Sequence, residues 1–235
     1  MNHPEPMKQD RTPGASADRY DSYLFIHKAL RAMMADTLVR LGSMDPTDDA
    51  DTHAVLERVR QAIALGACHL EHEDKFVHPA MEARAPGSTG RASSDHASHT
   101  AAFEKILAAC GEVESSQGAV RAGRALCLYR RFALLLAEDL VHMNAEETEN
   151  NAVLWATHTD EEIHAIAARL VASIPPETLS KYLPWMLMGN APNDRVSILG
   201  PIREGMPRPG FSRLLEALLP NLRDGERRKL IAALA

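Results

Sequence analysis

Apolar residues recur at intervals of three and four through most of this chain, the spacing that lines one face of an α-helix. The first stripe is Tyr20, Leu24, His27, Leu30, Met34, Leu38 and Leu41, which predicts a helix from about residue 20 to 41 with Gly42 at its C-terminal end. The second is Val55, Val59, Ile63, His69, Glu73, Phe76 and Ala80, on a helix opening at the acidic run Asp48 to Asp51 and reaching about Ala83. Acids at its start suit the positive end of the helix dipole. Gly66 falls on the same face and permits close approach of a neighbour, while Pro79 is expected to bend the last turns. After a Gly/Ser-rich loop over 86–91, Ser93 or Ser94 is a candidate cap for a third helix carrying His96, His99, Phe103, Ile106 and Cys110. The fourth and longest helix runs from about Val120 to Trp155, aligning Leu128, Phe132, Leu135, His142, Glu146 and Val153, with Asp139 on the same face.

Beyond Thr157 the texture changes. Thr159-Asp160-Glu161-Glu162 has the form of a capping box opening a helix to about Ser173. Prolines at 175, 176, 184, 192, 201, 207, 209 and 220 then leave room only for short helices. Residues 1–18 hold three prolines and little apolar material, and are expected to form a disordered arm. The expected fold is therefore all-α: an up-down four-helix bundle over 19–158, followed over 159–235 by a C-terminal extension of short helices.

Composition agrees with helices. Apolar residues make up 45% of the 235, yet aromatics only 5%, a poor supply for a β-sandwich. A net charge of −6 argues against a nucleic-acid partner, which needs a basic face. Cys68, Cys110 and Cys127 form no C-x-x-C pair, so neither a disulfide framework nor a zinc knuckle is indicated. No apolar run approaches the roughly 18 residues of a membrane span, and the N-terminal segment lacks the apolar core of a signal peptide. A soluble cytoplasmic protein with no membrane partner is the expectation.

The chemistry lies where the stripes are interrupted. His69 and Glu73 are four apart on one helix, and His142 and Glu146 repeat that spacing on another. His96 and His99 are three apart on the third helix, and His27 stands alone on the first. Each piece has an ordinary reading: a core histidine held by a hydrogen bond, or an exposed helical pair. Together they place imidazoles from all four inward stripes, with two carboxylates, toward one interior. Buried glutamates cost several kcal/mol unless paired or metal-bound. A dinuclear site between helices removes that cost, and imidazole with carboxylate suits iron, manganese or zinc. Glutamates, with two oxygens each, are the natural bridges.

The stretches IHKALRAMM, HLEHEDKFVHPAMEAR, DHASHTAAFEKIL and HMNAEETENNAVLWA resemble, in that order, the hemerythrin-like, or HHE cation-binding, family over about residues 20 to 158. The resemblance implies two non-haem irons, commonly joined by an oxo or hydroxo group. It implies His27, His69, Glu73, His142 and Glu146 as ligands, with His96 and His99 as the third helix's contribution. Oxygen-carrying hemerythrins space the third-helix histidines four apart rather than three, and use His-x-x-x-x-Asp where this chain has His142-x-x-x-Glu146. The latter departure is more similar to bacterial iron–sulfur-repair and iron-sensing branches. The tail is similar to a region of bacterial HHE proteins, and is expected either to cover one end of the bundle or to form a homodimer contact.

Three function classes follow: a module that binds or senses oxygen, nitric oxide, peroxide or iron itself; a di-iron oxidoreductase that turns over peroxide or nitric oxide or repairs iron–sulfur clusters; and a structural bundle that holds zinc or no metal. No phosphate loop or nucleophile elbow points to an organic substrate.

Overall fold

A computed structural model describes residues 19–234, so the arm expected at 1–18 lies outside the described residues. Every regular element among them is helical. Helix α1 (Leu24–Gly42) is followed by α2 (Asp49–His72), which continues through a π-helical turn (Glu73–Val77) into α3 (His78–Arg84). Helix α4 (Gly90–Glu114) leads to α5 (Gly118–Ala145), which passes through a second π turn (Glu146–Asn150) into α6 (Asn151–Thr157). Helix α1 packs on α2 and α5, and α4 packs on the same two, closing a four-membered ring. His27 near the start of α1 meets His69 near the end of α2, while Arg121 of α5 meets Asp49 of α2 at the opposite end. Successive helices therefore run antiparallel, as an up-down bundle requires.

The stripes fill the centre. Leu30, Met34, Val55, Val59, Ile63, Phe103, Ile106, Leu128, Phe132 and Leu135 share one core, and Leu128 and Phe132 are wholly buried. Burial of each such side chain stabilises the fold by about 1.5–3 kcal/mol. A Cβ on Gly66 would stand 3.3 Å from the Phe103 ring, so that glycine does mark a close approach. Asp48 caps α2, accepting from the amides of Ala50 and Asp51. The third helix departs from expectation. It begins at Gly90, ahead of Ser93 and Ser94, because Glu82 gathers the donors of the preceding loop: the amides of Gly87 and Thr89 at 2.7 and 2.9 Å, and the Thr89 hydroxyl at 2.7 Å.

The extension comprises α7 (Asp160–Ser173), α8 (Pro176–Gly189), α9 (Pro192–Gly205), α10 (Arg208–Leu218), a 3-10 turn (Leu219–Asn221) and α11 (Asp224–Leu234). The capping box of α7 forms as read, with reciprocal bonds between Thr159 and Glu162. Ile163 and Ile166 of α7 pack with Tyr23, Val77, Met81 and Leu154, covering the bundle end that lies beyond the second halves of the two long helices. Helix α8 lies against α1, where a Cβ on Gly189 would come within 2.5 Å of the Lys28 carbonyl oxygen. Pro184 and Pro201 sit inside α8 and α9, so these helices run longer than the proline spacing suggested. A proline in a helix interior costs about 3 kcal/mol, and packing offsets it: Leu187 and Leu199 anchor a second core with Phe211, Leu218, Leu222 and Leu230. Among the described residues no helix is long and apolar enough to cross a membrane.

Candidate metal centre

The H-x-x-x-E pairs end where each long helix changes form. Glu73 and Glu146 are the first residues of the two π turns, each following α-helix that carries its histidine. In the first turn the His78 amide donates to the Glu73 carbonyl, five residues back, which accommodates the missing amide hydrogen of Pro79. Pro79 follows that turn, in the first turn of α3. No comparable residue marks the second one.

Six of the seven residues singled out come together. His27 Nε2 lies 3.2 Å from His69 Nε2, 3.8 Å from Glu73 Oε1 and 3.5 Å from Glu146 Oε2. His69 Nε2 stands 3.2 Å from Glu73 Oε1. From the other side, His96 Nε2 is 3.6 Å from Glu73 Oε2 and 3.5 Å from Glu146 Oε1, and His142 Nε2 is 3.3 Å from Glu146 Oε2. Two groups result, His27–His69–Glu73–Glu146 and Glu73–His96–His142–Glu146, each with ligand atoms within 4.8 Å of one another. Both glutamates belong to both groups. The seventh residue, His99, belongs to neither; it is buried beside His142, ring centroids 4.9 Å apart, and its Nδ1 has no hydrogen-bond partner among the described residues.

The donor set fits a pair of cations. All four carboxylate oxygens of Glu73 and Glu146 are buried without a hydrogen-bond partner among the described residues, as is Nε2 of both His96 and His142. Such an arrangement is costly as it stands, and its charges are redistributed accordingly. Burial and the neighbouring Glu146 push the Glu73 carboxyl up to about 7. Burial opposes ionisation of Glu146 too, but His96, His142 and His27 hold it below its ordinary value. Burial disfavours an imidazolium at His27, yet Glu147, Glu73 and Glu146 bring it to about 9; at His96 the same contest, with Glu146 and Glu73, also ends at about 9. Burial takes His142 down to about 4.

A further ring of groups aims the imidazoles. Glu147 accepts from His27 Nδ1 at 3.1 Å and holds Arg31 through both its oxygens at 2.5 and 3.0 Å. Asp74 accepts from His96 Nδ1 at 2.8 Å and lies 2.9 Å from His78 Nδ1, a pair the Asp74-x-x-x-His78 spacing could have signalled. These contacts fix which ring nitrogen faces inward. Tyr23 is buried against the His27 ring, 5.0 Å between centroids, and its phenol oxygen accepts from Asn150 Nδ2 at 3.4 Å. His72 bonds back to the Cys68 carbonyl of its own helix.

A helical bundle with two four-residue donor groups sharing a pair of buried glutamates is, as a class, a cation-binding bundle. The family model described as Hemerythrin HHE cation binding domain matches residues 19–152. The chain belongs to that family. Comparison with curated proteins and with solved structures gave no match.

Proposed function

We propose that this chain is a non-haem di-iron protein that binds or senses a small ligand, oxygen, nitric oxide or peroxide, or responds to iron itself. One iron would be held by His27 and His69, the other by His96 and His142, with Glu73 and Glu146 bridging both. The observation that carries this reading is the burial of four carboxylate oxygens that find no hydrogen-bond partner among the described residues. Two divalent charges between the acids would repay that burial, and a mixed imidazole and carboxylate set is suited to iron. Once bound, the irons would supply the redox change and the open coordination positions at which a diatomic ligand or peroxide is taken up. The chain's own part is positioning and exclusion of water. Glu147 and Arg31 steady His27, Asp74 steadies His96, and Tyr23 with the apolar core closes the interior. The reading takes six ligands, leaving His99 outside the pair.

Mixing the reduced, iron-loaded protein with oxygen, nitric oxide or peroxide in a stopped-flow spectrometer tests it. A stable coloured adduct supports binding or sensing. Continued consumption of the ligand makes the protein an oxidoreductase instead, and no spectral response with any of the three points to a structural bundle.

A further inference from the structure

Most of the surroundings of the centre are closed by protein. Helix α8 lies over α1 and α2, where the Tyr182 hydroxyl is buried and donates to the Leu65 carbonyl at 2.5 Å. Helix α7 covers the near end through Ile163 and Ile166. The α4–α5 side differs. A groove of about 510 Å³ lies there, its walls including Asp95, Ser98, His99, Glu138, Val141 and His142. Ser98, Glu138 and Val141 are exposed, whereas His142 is one of the residues converging on the two glutamates. The groove therefore runs from solvent to His142, on the outer edge of the centre.

Its lining has a definite chemistry. Asp95 and Glu138 bring two carboxylates to the mouth. Arg91, the basic group on the wall, is bound at 2.5 Å by Glu149, which lies outside the groove, and is 3.9 Å from Asp95, so the acids are left in excess. Deeper in, His99 is only 3% exposed and its Nδ1 has no hydrogen-bond partner among the described residues. Asp95 is 3.6 Å from His142 Nδ1, and the His99 ring is 4.9 Å from that of His142, so Asp95 and His99 both adjoin the one groove residue that belongs to the centre. Two carboxylates and one imidazole attract a divalent cation, but they offer fewer donors and more water than the four-residue groups inside. A cation resting there would be drawn onward.

We propose that the groove between α4 and α5 is the port through which divalent cations load the centre, its acids Asp95 and Glu138 drawing the cation in and the buried His99 meeting it on the way to His142. The proposal rests on the dinuclear reading above and gives a task to His99, a buried histidine that reading leaves outside the pair.

The full-length chain, stripped of metal with a chelator, is mixed with cobalt(II), and uptake is followed by absorbance with the final stoichiometry measured. The double variant Asp95→Asn/Glu138→Gln is expected to load about tenfold more slowly at low salt, since a charged cleft raises the on-rate of its ion by 10–10³. The difference should shrink as salt is added, while two cobalt ions per chain still bind at the end. Val141→Trp, which narrows the groove without changing its charge, should slow loading at every salt concentration. His99→Ala should also slow loading and keep two ions. Loss of an ion in His99→Ala would make His99 a ligand of the centre and overturn its assigned place. Loading of the double variant and Val141→Trp at the wild-type rate, with two ions bound by the wild type, overturns the port alone. A wild type that takes up no cobalt overturns the dinuclear reading and the port with it.

Discussion

Replacing Glu73 by glutamine sets stability against metal binding, and the structure gives the size of the exchange. The side chain is 2% exposed and neither of its oxygens finds a donor among the described residues. Burial and the adjacent Glu146 raise its carboxyl from 4.5 to about 7. A carboxyl whose folded pKa is raised keeps its proton longer in the fold than in the unfolded chain. The penalty therefore grows as pH rises from about 4.5 to about 7 and is constant above that. At about 1.4 kcal/mol per pKa unit, the ionised group costs the metal-free fold about 3 kcal/mol. Glutamine keeps the shape and removes the charge. Metal-free Glu73→Gln is thus expected to exceed the wild type in stability by about 3 kcal/mol near pH 8, and by much less near pH 5, while failing to hold two metal ions. Urea unfolding of chelator-treated protein, followed by circular dichroism at both pH values, measures the difference. A metal-free variant less stable than the wild type near pH 8 would refute the reasoning, because it would mean that the protein itself already compensates the acid.

Glu147→Gln should weaken metal binding about 10- to 100-fold in a competitive chelator titration without abolishing it, because it loosens the hold on His27 without removing a ligand. Gly189→Ala should lower stability by about 1–3 kcal/mol in chemical denaturation, since its Cβ would meet the Lys28 carbonyl oxygen at 2.5 Å where α8 crosses α1. Glu226, held at about 2 by Arg223 and Arg195, contributes stability that is complete above the ordinary carboxylate value and lost as pH falls toward about 2. Glu226→Gln should therefore melt below the wild type at neutral pH, and the gap between the two melting curves should close on acidification.

Much of this was readable from the chain because helical spacing carries both packing and chemistry. A residue four places along lies one turn away on the same face, so the apolar stripes and the two H-x-x-x-E pairs pointed to one interior. Capping by Thr159 and Glu162 was equally local and formed as read. What stayed hidden depends on partners distant in sequence. Nothing near Glu147 announces that α1 will bring His27 and Arg31 against it. The π turns at Glu73 and Glu146 are backbone adjustments, and only the first has a proline, Pro79, close after it. His96 and His99, three apart, point about 60° from each other around the helix axis. Both can be buried, yet only His96 joins the glutamates, and spacing alone could not choose between them. The proline-rich tail was underestimated because proline rules describe an isolated helix, whereas α8 and α9 are held by Leu187 and Leu199 in a core of their own.

The most direct test of the central claim is the metal content of aerobically purified protein together with its absorption spectrum. Two irons per chain with intense near-ultraviolet charge-transfer absorption, falling to one iron or fewer in Glu146→Ala, is the outcome expected of two cations that share Glu73 and Glu146. A colourless zinc protein, or two irons retained after removal of either glutamate, would contradict it.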